Sequence, residues 1–213
     1  MNWLISERLI WLYEICFHEQ PLQYALAVSK FSYAFRPKRS AIQAIKQSLS
    51  YINDGYQWVI DLDLKSFFDL VNHDYLMSLL SRRVTDRNLM KLIRKYLQSD
   101  MMLGGVCQTR ESGTPQGSPL SPLLSNLILN ELDRELTKRG LRFVRYADDV
   151  SIYLKSERAA KLVLESITKF IEGKLKLKIN QEKTSICRPV NLKLLGFGFV
   201  PTYKKGELSA AIS

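Results

Sequence analysis

The chain has 213 residues, 46% of them hydrophobic, and carries 31 Lys+Arg against 21 Asp+Glu for a formal net charge of +10. It can therefore bury a real core in one or two domains, and its basic excess points to a polyanionic partner. Cys16, Cys107 and Cys187 are odd in number, far apart and in no CxxC spacing, which speaks against a disulfide framework or a zinc site and fits a reducing cytoplasm.

Residues 1 to 30 read as two short helical stretches divided at Pro21. The apolar run from Met1 to Phe17 is broken by Glu7, Arg8 and Glu14, which argues against a signal peptide or a membrane-spanning helix. Ser32 to Arg39 is a turn-rich basic loop. Ser40 then caps a helix whose apolar stripe is Ala41, Ile42, Ile45, Leu49 and Ile52, closing near Asn53-Asp54-Gly55.

A strand over 58–63 alternates Trp58, Ile60 and Leu62 with Val59, Asp61 and Asp63. Leucine spacing predicts helices over 74–83 and 86–98, with His73 in a helix-start Asn-His-Asp, and Gly104-Gly105 predicts a hairpin over 101–110. A glycine and proline loop, Ser112 to Pro122, leads into an apolar helix over 121–139. Strands over 141–146 and 149–154, a helix over 157–173 and an alternating strand over 175–179 complete a split βαβ plan of the α+β class. Leu194 to Phe199 suggests a short strand and Tyr203 to Glu207 a turn.

Between two of those strands lies Arg145-Tyr146-Ala147-Asp148-Asp149-Val150. A bare Asp-Asp pair in a loop is ordinarily a solvated turn or a helix cap. At a hairpin tip, however, neighbouring residues can project together and present hard oxygen ligands to one cation. With Asp63 beside them there are three carboxylates from two segments of one sheet, enough for in-line displacement at a phosphate with two metals.

Phe143-Val-Arg-Tyr-Ala-Asp-Asp149, Asp63-Leu-Lys-Ser-Phe-Phe-Asp69, Gly113-Thr-Pro-Gln-Gly-Ser-Pro-Leu-Ser-Pro122, Ser32-Tyr-Ala-Phe-Arg-Pro-Lys-Arg-Ser40 and Leu194-Leu-Gly-Phe197 closely resemble, in order, blocks of group II intron reverse transcriptases. The resemblance implies partial fingers over 1–56, a palm over 57–199 with a helical insertion at about 74–98, and a C-terminal hairpin or tail over 200–213 without a thumb. It implies Asp63, Asp148 and Asp149 as catalytic metal ligands, joined by the backbone carbonyl of Leu64, with two Mg2+ ions or Mn2+ in their place.

Nucleotide contacts would come from Lys65, Phe67, Phe68, Gln116, Gly117 and Lys183. Phe68 matches the residue that packs under the sugar and disfavours a 2′-hydroxyl. Arg36, Lys38 and Arg39 would meet RNA or phosphate. Ala34 stands where the family usually has glycine, a strain if that position needs positive φ.

The implied partners are an RNA template, in particular a group II intron RNA, a DNA or RNA primer and deoxynucleoside triphosphates, with no membrane. The implied location is the bacterial or organellar cytoplasm. Three other readings stand beside the polymerase: a silent RNA-binding splicing cofactor, a reverse transcriptase of a CRISPR or defence system, and a structural module with a vestigial metal site.

Overall fold

The computed structural model describes residues 29–82, 84–99, 101–103, 106–108, 112–115, 120–201 and 208–212. In chain order the first elements are α1 (Ala41–Asn53), β1 (Trp58–Leu62), α2 (Phe67–Leu70), α3 (His73–Ser81), α4 (Arg87–Leu97), β2 (Met101–Leu103) and β3 (Val106–Gln108). They are followed by α5 (Leu120–Lys138), β4 (Arg142–Tyr146), β5 (Asp149–Leu154), α6 (Glu157–Phe170), β6 (Ser185–Cys187), β7 (Lys193–Leu194), β8 (Phe197–Pro201) and β9 (Leu208–Ile212). Two units divide the chain: one includes Phe68–Ile128, and the other joins Ser29–Phe67 to Leu129–Ser213.

The second unit is built on a four-stranded antiparallel sheet in the order β4-β5-β1-β6. Its first strand in sequence thus lies between the third and the fourth, as the split βαβ plan requires. Strand pairing runs from Trp58↔Leu154 to Leu62↔Val150 and from Arg142↔Tyr153 to Tyr146↔Asp149. Because side chains alternate, this register sets Val59 and Asp61 on the same face as Tyr153, Ser151 and Asp149.

That face carries a core of Ile45, Tyr51, Ile52, Val59, Val144 and Tyr153, extended by Leu192, Leu194 and Phe199. Helix α1 starts in a capping box, with the Gln43 N–H donating to Ser40 Oγ and the Ser40 N–H to Gln43 Oε1. It buries Ala44, Ile45, Tyr51 and Ile52, whereas Ile42, expected on the stripe, is exposed. Strands β7, β8 and β9 form a second antiparallel sheet in this unit, tied to α1 by reciprocal bonds between Asn53 and the Leu208 backbone.

The strand expected over 175–179 is absent. Helix α6 runs instead into a π-helical turn, Ile171–Leu175, closed by Lys176 at φ 58°. Only one bridge, Leu64↔Ile179, follows, and the fourth strand is Ser185–Cys187. Leu175, Leu177 and Ile179 are buried and Lys176 and Lys178 exposed, so the alternation reports burial without a ladder.

The other unit holds α3 and α4, each capped by a side chain, Asn72 and Asp86 respectively. Leu76, Leu79, Leu80, Ile93 and Leu97 are among its buried apolar residues. The expected hairpin is present as β2 paired with β3, Met101↔Gln108 to Leu103↔Val106. Among the described residues no helix is long and apolar enough to cross a membrane.

Candidate active site

Tyr146↔Asp149 is the last pair of the β4–β5 hairpin, which leaves Ala147 and Asp148 as a two-residue loop. Ala147 has φ 57°, a conformation that the first central position of a type II′ turn favours and that glycine adopts most easily. Alanine there stores about 1–3 kcal/mol of strain, so the neighbourhood must hold it. Arg145 does so: its Nη1 donates to the Ala147 carbonyl at 2.9 Å.

The same guanidinium donates through Nε and Nη2 to the two carboxylate oxygens of Asp133, at 2.8 and 2.7 Å. Both side chains are wholly buried. The pair anchors the turn to α5. Arg145 is also bound through its backbone, its N–H to the Phe31 carbonyl and its carbonyl to the Tyr33 N–H, both 2.9 Å.

Asp63 follows directly on β1. Its N–H donates to Thr184 Oγ1 at 3.1 Å, and its carbonyl accepts from the Asn180 N–H at 2.9 Å and from the Thr184 hydroxyl at 3.3 Å. The segment Asn180 to Thr184 thereby fixes the backbone of Asp63 without using its carboxylate.

Pairing of β1 with β5 ends at Leu62↔Val150, one residue short of Asp63 and Asp149. These carboxylates feel one another. Burial first, then Asp149 and Asp63, push Asp61 up to about 6. Asp149 is open to solvent on one side, yet burial, Asp148 and Asp63 raise its pKa while Lys183 opposes the rise.

This is crowding of like charge, and it falls short of a closed ligand cage: among the described residues no group of three or more His, Cys, Asp or Glu side chains is gathered tightly enough to hold a metal ion. The chemistry of the donor set still fits a hard divalent cation, because hard oxygens whose charged forms disfavour each other are what such an ion relieves.

Residues 13–199 match the family model described as reverse transcriptase (RNA-dependent DNA polymerase). The chain belongs to that family. Among its relatives, protein YkfC of Escherichia coli K12 is 33% identical over 193 residues, covering 73% of this chain and 51% of YkfC. The group II intron-encoded protein LtrA of Lactococcus lactis is 28% identical over 219 residues, covering 73% of this chain and 36% of LtrA. The retron Ec73 reverse transcriptase of Escherichia coli is 28% identical over 194 residues, covering 83% and 55%. The chain thus spans about half the length of these relatives or less. An apo telomerase from Candida tropicalis, truncated from its C-terminal domain, has the same fold, with a TM-score of 0.68 at 15% identity over 100% of this chain and 49% of the telomerase.

In this reverse transcriptase chain Leu64 is buried and bridged to Ile179. Lys65 is exposed at a recess of about 760 Å³ shared with Lys176 and Lys178. Phe67 is buried and Phe68 half-buried. Gln116 and Gly117 lie outside the described residues.

Arg36 turns inward. Its Nη1 donates to the Ser29 and Ser32 carbonyls at 2.6 and 2.8 Å, and burial holds the guanidinium below its ordinary value. Lys38 and Arg39 are exposed, Arg39 lying 5.3 Å from the Tyr33 ring centroid. Positive φ falls on Phe35 and Lys38 and not on Ala34, which is buried without that strain.

Gly113, in the unit that includes Phe68–Ile128, has φ 84°, and a Cβ there would meet the Phe68 carbonyl oxygen at 2.7 Å and Asp69 backbone atoms at 2.9 Å. Its N–H donates to Val71 O at 2.8 Å, its carbonyl accepts from His73 Nε2 at 2.7 Å, and the Thr114 N–H donates to Phe68 O at 2.7 Å. Glycine is therefore required twice, for conformation and for approach. Gly113→Ala is expected to lower stability by about 1–3 kcal/mol, read as a drop in the urea midpoint at unchanged slope.

Sequence reasoning gave no role to Asp133, Arg145 or Thr184. The first two had a signal: Arg145 is a charge inside an apolar strand, and Asp133 sits one helical turn from Leu129 and Leu136, both buried. Charges at core positions call for each other.

Proposed function

We propose that this chain is the RNA-templated DNA polymerase core of a group II intron-encoded protein. The observation that supports it is the gathering of Asp61 and Asp149 on one sheet face with Asp63 and Asp148 beside them, where burial first and then the neighbouring carboxylates raise the pKa of Asp61 and of Asp149. Asp63, Asp148 and Asp149, with the Leu64 carbonyl, would hold divalent magnesium. Bound there, the ions would ease ionisation of a primer 3′-hydroxyl and neutralise charge on the triphosphate.

The protein's own part is positioning. The hairpin offers Asp148 and Asp149 from a turn held by Arg145, and Thr184 holds the backbone that carries Asp63. Lys183, whose charge opposes the rise at Asp149, would meet the triphosphate. Lys38, exposed at the turn before α1, offers charge to the RNA template.

The test is primer extension on an RNA template with deoxynucleoside triphosphates and Mg2+. Incorporation that Asp148→Ala abolishes is expected; binding of intron RNA by the wild-type chain without any incorporation would overturn the proposal.

The raised carboxyl groups also make a stability claim with a definite sign. A carboxyl whose folded pKa exceeds its unfolded value near 4 stabilises the fold below that value and loses the contribution as pH rises through the folded pKa. For Asp61 that loss falls between roughly pH 4 and pH 6. Without divalent ions the Tm is expected to decline over this window, Asp61→Asn to flatten the decline, and Mg2+ to restore stability at pH 7 more than at pH 4.

A further inference from the structure

Four cations with no ion-pair partner among the described residues surround one recess at the other end of the β4–β5 hairpin. The recess has a volume of about 620 Å³, within the range of ligand sites, and includes Lys30, Arg39, Arg142 and Lys155. Arg142 opens β4, and Lys155 directly follows the last residue of β5, whereas Asp148 and Asp149 sit at the turn. Four residues of strand, about 13 Å, separate Arg142 from Tyr146 and so this end from the carboxylates.

All four cations are exposed, and three of them lie over an aromatic ring instead of beside a carboxylate. Lys30 lies 5.1 Å from the Phe31 centroid, Arg39 5.3 Å from Tyr33 and Lys155 5.5 Å from Tyr56, and Tyr56 is also the first influence that raises the pKa of Arg142. Tyr33 and Tyr51 are buried in the floor, and burial keeps their hydroxyls protonated, Tyr51 up to about 12, so they remain donors. Among the described residues the only carboxylate lining the recess is Asp54.

Fixed cations facing one another cost electrostatic free energy unless an anion neutralises them. A free phosphate would engage one or two of them. Four around one recess, three of them over aromatic rings, match successive phosphates of a strand whose bases are unpaired and can reach those rings.

We propose that this recess binds the backbone of a single-stranded RNA segment, separate from the template strand at the aspartates. It tethers RNA to the palm at a distance from the site of synthesis. Asp148→Ala would leave this binding intact, so its failure and that of the polymerase reading are separable.

The test is fluorescence anisotropy of a short labelled oligouridine across a salt series, with wild type, Arg142→Gln/Lys155→Gln and the charge-keeping Arg142→Lys/Lys155→Arg. Losing two phosphate contacts should lower the log–log salt slope by about 1.4 and weaken binding about 10–30-fold near 0.1 M salt. The charge-keeping variant should retain the wild-type slope, Tm should be unchanged, and extension of a saturating preannealed duplex should stay at the wild-type rate. Oligouridine containing 4-thiouridine should cross-link at Phe31 or Tyr56. An unchanged slope in the glutamine variant, or competition by polyglutamate as effective as by RNA, would overturn the proposal, the latter by making the recess a site for acidic polypeptide.

Discussion

Asp133→Ala is expected to lower folding stability by about 3–5 kcal/mol, because it leaves the buried Arg145 guanidinium without its counter-charge. The double replacement Arg145→Met with Asp133→Leu separates stability from function. Buried ion pairs replaced by apolar groups of similar volume are often neutral or stabilising, so the denaturation midpoint should largely recover. Synthesis should not recover. The Ala147 carbonyl loses its Nη1 donor, the positive-φ turn that presents Asp148 and Asp149 loses its hold, and primer extension should fall about 10–100-fold, as when a group supporting a metal ligand is removed. Equal synthesis by the double variant and wild type would show that the pair serves folding alone.

Asp63→Asn should act in opposite directions on stability and activity. The backbone bonds that hold residue 63 come from Thr184 and Asn180 and do not involve its carboxylate, so the fold survives. One negative charge disappears beside Asp61 and Asp149, whose pKa values it helps to raise. The metal-free protein should therefore gain about 0.5–2 kcal/mol, the increment common when a strained functional site is relaxed. Extension on an RNA template should fall by more than the roughly 100-fold that loss of a supporting group costs. A variant that is both less stable and still active would contradict the assignment.

Strand order and the hairpin were legible because period two, a two-residue turn and helix spacing agree locally over 58–62, 120–138, 142–146 and 149–154. Leu175 to Ile179 was not, because alternating burial is common to a strand and to an extended segment lying on a core; only partner hydrogen bonds distinguish them, and those depend on distant residues. The carboxylates were visible as a motif. The residues that hold them were harder to see: Arg145 lies three positions from Asp148 in sequence, but its partner Asp133 is on another element, and Thr184 acts through a backbone 121 residues away. Arg36 shows the converse, a basic residue whose family block suggests RNA and whose guanidinium is committed to Ser29 and Ser32.

The most direct measurement is Mn2+ binding by electron paramagnetic resonance, with template–primer and a non-hydrolysable deoxynucleoside triphosphate present, for wild type and Asp63→Asn. Bound Mn2+ that is retained by wild type at pH 7, released as pH falls below about 5 where carboxylates take up protons, and missing in Asp63→Asn is the predicted result. Equal Mn2+ binding by both proteins, with undiminished primer extension by Asp63→Asn, would contradict it.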